Sequence, residues 1–242
     1  MKVCGITDKG LSRENNQDSL FVSDMEDLPL FIVADGMGGH NAGEIASNIA
    51  VDTIKDKFLK SKDCLKTNDQ ITKTIREAIG EANNKIYLHA LKTPPCSGMG
   101  TTLTMAYIHK GVFYIGHVGD SRAYYIRDKN IKQITEDHSL VNELIKNGSI
   151  TKEEAINHPQ RNVITKALGT SIDIEVDIQV FKHKTDDILT ICSDGLSNMV
   201  KEYQILKGVK SEVDIKLACK NLVDLAKDNG GLDNITVIIN KF

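Results

Sequence analysis

The chain has 242 residues, 40% of them hydrophobic and 26% charged, with a formal net charge of −3. That composition excludes a disordered segment and leaves no basic field to attract nucleic acid or anionic lipid, so neither is expected as a partner. Five cysteines at long spacings, with no Cys-x-x-C, exclude a disulfide framework and fit reduced thiols in the cytoplasm.

No apolar run follows Lys2, so no signal peptide is expected, and the longest apolar stretch, residues 28–34, is far short of the ~20 residues of a membrane helix. Short apolar runs predict strands over 19–23 and 30–34. Ile45, Ile49, Ala50, Val51, Ile54 and Phe58 predict a helix over 42–60. Ile71, Ile75, Ala78, Ile79, Ala82 and Ile86 predict a second over 69–91. β-Branched and aromatic residues predict strands over 101–108, 112–118, 122–126 and 131–134. Turn signals at Lys110-Gly111, Gly119-Asp120 and residues 128–130 separate them, so the block reads as an antiparallel meander. Short helices are expected over 139–146 and 151–156, strands over 174–181 and 188–192, a helix over 213–227 and a last strand over 235–240. Consecutive strands of this kind argue for antiparallel sheets, not a doubly wound parallel one. Length allows one large domain or two small ones, but no linker, repeat or low-complexity segment marks a boundary.

The aspartates stand where chemistry is expected. The apolar runs 31–34 and 189–193 end in Asp35-Gly36 and Asp194-Gly195, the run from Tyr114 ends in Gly119-Asp120, and Asp18 and Asp233 stand just before predicted strands. A lone Asp-Gly is more often a hairpin turn. At Asp35 that reading fails in part, because a helix follows Gly36-Met-Gly-Gly. Five carboxylates gathered at strand ends repel unless something neutralises them. Hard divalent cations with oxygen ligands do so, which points to magnesium or manganese and away from zinc.

Arg13-Glu-Asn-Asn-Gln-Asp18, Asp35-Gly-Met-Gly-Gly-His40, Gly98-Met-Gly-Thr-Thr102, Gly119-Asp-Ser-Arg-Ala-Tyr124, Ser193-Asp-Gly-Leu196 and Asp233-Asn-Ile-Thr236 occur in that order. This series closely resembles the motifs of the type-2C metal-dependent protein phosphatases, in their compact bacterial form. Glu136-Asp-His-Ser-Leu-Val141 and the segment 158–169 resemble that form too. The resemblance implies an α+β fold, a four-layer αββα sandwich of two packed antiparallel sheets flanked by helical pairs. It implies one catalytic domain over 1–242, with a flap over about 139–168. Carried over, Asp35, Asp194 and Asp233 hold a first ion, and Asp18, Asp35 and the carbonyl of Gly36 a second. Asp120 and Asp194 hold a third, weaker one. The implied cofactors are Mn2+ or Mg2+. The implied partners are phosphorylated proteins and an opposing serine/threonine kinase, and the chain is expected to be a cytoplasmic monomer.

Two cations about 3.5–4 Å apart can activate one water for in-line attack on phosphorus. In that scheme Arg13 grips phosphate oxygens, Arg161 is a second substrate-binding candidate, and His40 protonates the leaving serine or threonine oxygen. For His40 a helix-start histidine without a chemical role is the competing reading. Rival phosphate chemistries are excluded. No cysteine is followed six residues on by arginine, there is no Asp-x-Asp-x-Thr or Val, and no Gly-Lys pair supports a nucleotide loop. Two alternatives stay open: a phosphoprotein-binding pseudoenzyme, and a hydrolase of small phosphoesters on the same site.

Overall fold

The structure is a computed structural model that describes residues 2–23, 28–39, 42–212 and 214–242. Alternation along its buried strands sets the layers. In β3 (Leu30–Met37), Leu30, Ile32 and Ala34 join a core with α1 (Ala42–Ser61) and α2 (Asn68–Lys92), while Phe31 and Val33 point the opposite way. They meet Leu189 and Ile191 of β10 (Ile188–Cys192) and Ile238 of β11 (Ile235–Lys241). The other face of those strands, with Ile188, Cys192, Val237 and Ile239, packs on α6 (Glu202–Ser211) and α7 (Ile215–Asp228). A strand covered on both faces needs apolar residues on both, hence the near-continuous runs in the sequence.

One sheet has the order β1 (Lys2–Asp8), β11, β10, β7 (Arg122–Arg127), β8 (Asn130–Gln133). The other runs β2 (Asp18–Val22), β3, β5 (Leu103–His109), β6 (Val112–Val118), β9 (Asp177–Lys182), with β4 (Gly100–Thr101) on the end of β3. Every pairing between these strands is antiparallel. The layers are therefore α1/α2, sheet, sheet, α6/α7, the expected αββα sandwich. The short helices α3 (Leu140–Lys146) and α4 (Lys152–Ile156) lie in the segment 139–168, which touches the sheet through a Thr101–Leu168 bridge and closes on itself through a Ser139–Ile164 bridge. Among the described residues no helix is long and apolar enough to cross a membrane.

Three expectations change. The block 101–134 is not one meander: β5–β6 and β7–β8 are hairpins of different sheets, and the chain crosses between sheets at Gly119-Asp120. Gly119, at φ +110, takes a conformation that L side chains rarely adopt. The expected strand 101–108 is divided at Thr102, whose N–H is diverted to the Asp35 carbonyl at 2.8 Å. Finally, β1, α5 (Asp194–Ser197) and α6 are additional elements, and β9 and α7 begin later than expected.

Candidate active site

The five aspartates reach one edge of the sandwich from both sheets. Asp18 opens β2 and Asp35 lies near the end of β3, directly opposite it in register. Asp120 follows the crossover, Asp194 opens the single turn of α5, and Asp233 stands two residues before β11. Missing side chains let these loops close up. A Cβ on Gly195 would lie 2.0 Å from the Asn234 carbonyl oxygen. One on Gly36 would lie 2.1 Å from that of Gly43 in the first turn of α1. At Gly36 the required approach is thus of helix to strand.

Each carboxylate has a distinct setting. Asp18 is buried, and its Oδ2 accepts from Ser193 Oγ at 2.7 Å and from Thr236 Oγ1 at 2.6 Å. Because Thr236 donates to Asp18, it accepts from Thr7 Oγ1 at 2.7 Å, which in turn accepts from Asn16 Nδ2 at 2.8 Å. This relay spans both sheets and leaves Asp18 Oδ1 buried with no hydrogen bond. Asp35 is fixed through its backbone: its N–H donates to Thr102 Oγ1 at 3.0 Å, and its carbonyl accepts from Thr101 Oγ1 at 2.9 Å. Asp194 Oδ2 accepts from Asn198 Nδ2 at 3.1 Å, while Asp194 Oδ1 and Asp120 Oδ1 are buried without partners.

Asp233 accepts from the Asn234 N–H, and its Oδ2 pairs with Arg13 at 2.8 Å. Arg13 is 53% exposed, and the ion pair raises its pKa. Asn234 anchors the loop that carries Arg13. Its Nδ2 donates to the carbonyls of Lys9 and Asn15, and its Oδ1 accepts from the Gln17 N–H.

Electrostatics tie the five together. Burial pushes Asp18 and Asp120 up to about 7, with Asp194 the leading charge on each after burial and, at Asp18, the two hydroxyl donors pulling the other way. Burial also raises Asp35 well above the carboxylate range, followed by the charges of Asp18, Asp194, Asp120 and Asp233, all four of the others. Asp194 is raised by burial and by the charge of Asp233, against the charges of Arg122 and Arg13. A divalent cation fits this setting on three counts: the donors are all oxygen, among the described residues three buried carboxylate oxygens have no protein partner, and the Arg13 ion pair offsets one carboxylate of the five. Among the described residues no three such side chains stand ready-made around one ion-sized point; Asp233 is turned onto Arg13.

His138, one residue before the segment 139–168, is held to this edge. Its Nδ1 accepts from the Gly119 N–H at 3.0 Å, its own N–H donates to the Gly119 carbonyl at 2.7 Å, and its ring Nε2 lies 3.3 Å from Asp177 Oδ2. The His117 ring lies 5.1 Å away at a tilt of 33°, held neutral by burial with a pKa of about 4. Its Nε2–H donates to the Glu136 carbonyl, so its Nδ1 accepts from Thr104 Oγ1.

The structure thus gathers Arg13, Asp18, Asp35, Gly36, Asp120, Asp194 and Asp233. Among the described residues it gives Arg161, exposed in the segment 139–168, no ion pair or hydrogen bond to the cluster. His40 lies outside the described residues. Sequence reasoning passed over Ser193, Thr236, Asn234 and His138 as site residues. Each stands inside a quoted motif, but its partner lies on a remote strand or loop.

Comparison with known proteins agrees with this geometry. The family model for protein phosphatase 2C matches residues 11–221. A serine/threonine phosphatase of Listeria welshimeri is 42% identical over 234 residues, spanning 96% of this chain and 92% of its own. The structure of serine/threonine phosphatase Stp1 from Staphylococcus aureus aligns with a TM-score of 0.93 at 37% identity, covering 100% of this chain and 94% of that one. The catalytic domain of the protein phosphatase PstP, in complex with two manganese ions, aligns with a TM-score of 0.86 at 32% identity, covering 98% and 96%. With the family model matching most of the chain and near full-length relatives at such identity, the chain belongs to the protein phosphatase 2C family and is a metal-dependent serine/threonine protein phosphatase.

Proposed function

We propose that Asp35, Asp194 and Asp233 hold one divalent cation, Mn2+ or Mg2+, that Asp18, Asp35 and the Gly36 carbonyl hold a second, and that Asp120 and Asp194 hold a weaker third. The observation that carries this assignment is the position of Asp35, directly opposite Asp18 in register at the edge to which Asp120, Asp194 and Asp233 also come. When bound, the ions supply an activated water and neutralise charge on the phosphoryl group.

The chain's own residues orient and restrain. Ser193 and Thr236 occupy Oδ2 of Asp18 and so direct its free Oδ1 into the site. Arg13 fixes Asp233 with one terminal nitrogen and keeps the rest of its guanidinium open to solvent for phosphate oxygens. His40 is the proposed donor of a proton to the leaving oxygen. Arg161 would contribute only through movement of the flap, residues 139–168, toward phosphate.

The substrates of this reading are phosphoserine and phosphothreonine on proteins, in opposition to a serine/threonine kinase. The chain acts as one monomeric domain in the cytoplasm, a setting that fits its five free cysteines. The test is a calorimetric titration of metal-stripped protein with manganese. Two tight sites are expected, and Asp35→Asn should lose both while keeping its far-ultraviolet dichroism. Unchanged binding by Asp35→Asn would overturn the ligand assignment.

A further inference from the structure

The turn that delivers Asp233 carries an apolar patch that the phosphate chemistry leaves unused. Leu11 is 64% exposed and Leu232 57%, and Met199 is partly exposed beside them. They crowd two adjacent glycines, Leu11 at Gly231 and Leu232 with Met199 at Gly230. A Cβ on Gly231 would lie 2.9 Å from Leu11 Cγ, and one on Gly230 would lie 3.6 Å from Leu232 Cγ and 3.8 Å from Met199 Sδ. Single exposed leucines are commonplace, but apolar side chains gathered over one glycine pair beside a reaction centre fit a binding surface.

The backbone under the patch is braced. The N–H groups of Leu11 and Ser12 both donate to the Gly231 carbonyl, at 2.8 and 3.3 Å, and Asn229 Nδ2 holds the Met199 carbonyl at 2.8 Å. Leu11 stands two residues before Arg13 and Leu232 one before Asp233, and those neighbours form the 2.8 Å ion pair. Patch and phosphate edge therefore share one frame.

We propose that Leu11, Leu232 and Met199 form a specificity subsite that takes an aliphatic or aromatic side chain flanking the phosphoserine or phosphothreonine of the substrate. The inference rests on the reading of the carboxylate edge as the phosphate site. Size selects the occupant: three side chains match one substrate residue, whereas a stable dimer needs about 20–30 residues a side. A braced backbone lowers the ordering cost of binding such a residue.

The experiment compares phosphothreonine peptides in which leucine or serine stands at each position next to the phosphoresidue. Wild type should favour leucine at one position about tenfold in kcat/KM, the discrimination a small apolar contact gives, and the difference should lie in KM. The double substitution Leu11→Ser with Leu232→Ser should level the two peptides and leave p-nitrophenyl phosphate turnover unchanged. A wild type blind to the flanking residue, or a variant that keeps the preference, overturns the subsite. So does a variant that loses p-nitrophenyl phosphate turnover, which would make the patch structural. A concentration-dependent dimer that the variant abolishes, with peptide preference intact, would assign the patch to a second copy. Failure of the phosphatase reading itself looks different: wild type would turn over neither the peptides nor p-nitrophenyl phosphate.

Discussion

Asp18 and Asp35 face each other in register on adjacent antiparallel strands, at an edge where three more aspartates arrive from the opposite sheet and its connections. Like charges directly opposite destabilise a strand pair, so the fold carries here a cost that only a bound cation or a proton removes.

The first prediction follows from that cost. Asp18 and Asp120 have folded-state pKa values of about 7 against an ordinary 3.8, raised by burial first and neighbouring carboxylates second. Between about pH 4 and 7 the folded metal-free chain keeps protons that the unfolded chain releases. Its stability should therefore fall as pH rises through that window. Asp18→Asn should flatten the profile and stabilise the metal-free chain by about 1–3 kcal/mol at pH 7.5, while abolishing turnover. Denaturant melts in EDTA across this range provide the check; a metal-free chain that gains stability toward pH 7 contradicts it.

The braces of Asp18 offer a second. Thr236→Val and Ser193→Ala each remove a hydroxyl donor to Asp18 Oδ2, and a hydrogen bond to a charged group is worth about 1.5–3 kcal/mol. Each substitution should weaken manganese binding about tenfold or more, whereas Thr236→Ser should behave like wild type. Calorimetry on the three variants separates loss of the donor from loss of volume.

Asp120 and His138 give a third. Asp120→Ala should keep the two tight ions and lose turnover, since Asp120 is assigned only to the weak site. His138 grips Gly119 by two hydrogen bonds just ahead of Asp120. His138→Ala should therefore raise the manganese concentration needed for half-maximal turnover, leaving the tight sites intact. His138→Asn, whose side-chain oxygen can accept from the Gly119 N–H, should restore part of the effect.

A fourth concerns stability away from the site. Asp187 is 4% exposed and accepts from Tyr125, from Arg127 and, at 2.7 Å, from the Lys184 N–H. Burial would raise its carboxyl, but hydrogen bonds from Arg127, Tyr125 and Lys184 outweigh it and hold the pKa at about 2. The stability it contributes is present above about pH 4 and lost as pH falls toward 2. Asp187→Asn should cost about 2–3 kcal/mol at neutral pH, remove that acid dependence and leave p-nitrophenyl phosphate turnover unaltered. Urea melts at pH 7 and pH 3 measure both effects.

What the sequence revealed follows from burial. Strands such as β3 and β10 are apolar on both faces, so their runs stand out without an alignment. The aspartates at their ends were legible because charge beside such a run needs a reason. Strand β1 was not, because its residues are mostly half-buried and its partner β11 lies at the far end of the chain. In its middle Gly5 leaves room for Val22, whose Cγ2 would stand 2.6 Å from a Cβ there. Helix α6 buries only Ile205 and Val209, too few to print a helical period. Gly119-Asp120 carries a hairpin signal but serves a crossover, since turn chemistry does not say which sheet receives the next strand. The braces Ser193 and Thr236 reach Asp18 from 175 and 218 residues away, contacts that only the folded sandwich supplies.

The central claim is that the five-carboxylate edge works by holding divalent cations, and one measurement meets it directly. Protein stripped with EDTA and dialysed should be assayed on p-nitrophenyl phosphate before and after manganese is added. The account predicts no turnover in the stripped protein, recovery with manganese or magnesium, and little recovery with zinc. Undiminished turnover after exhaustive chelation would contradict it.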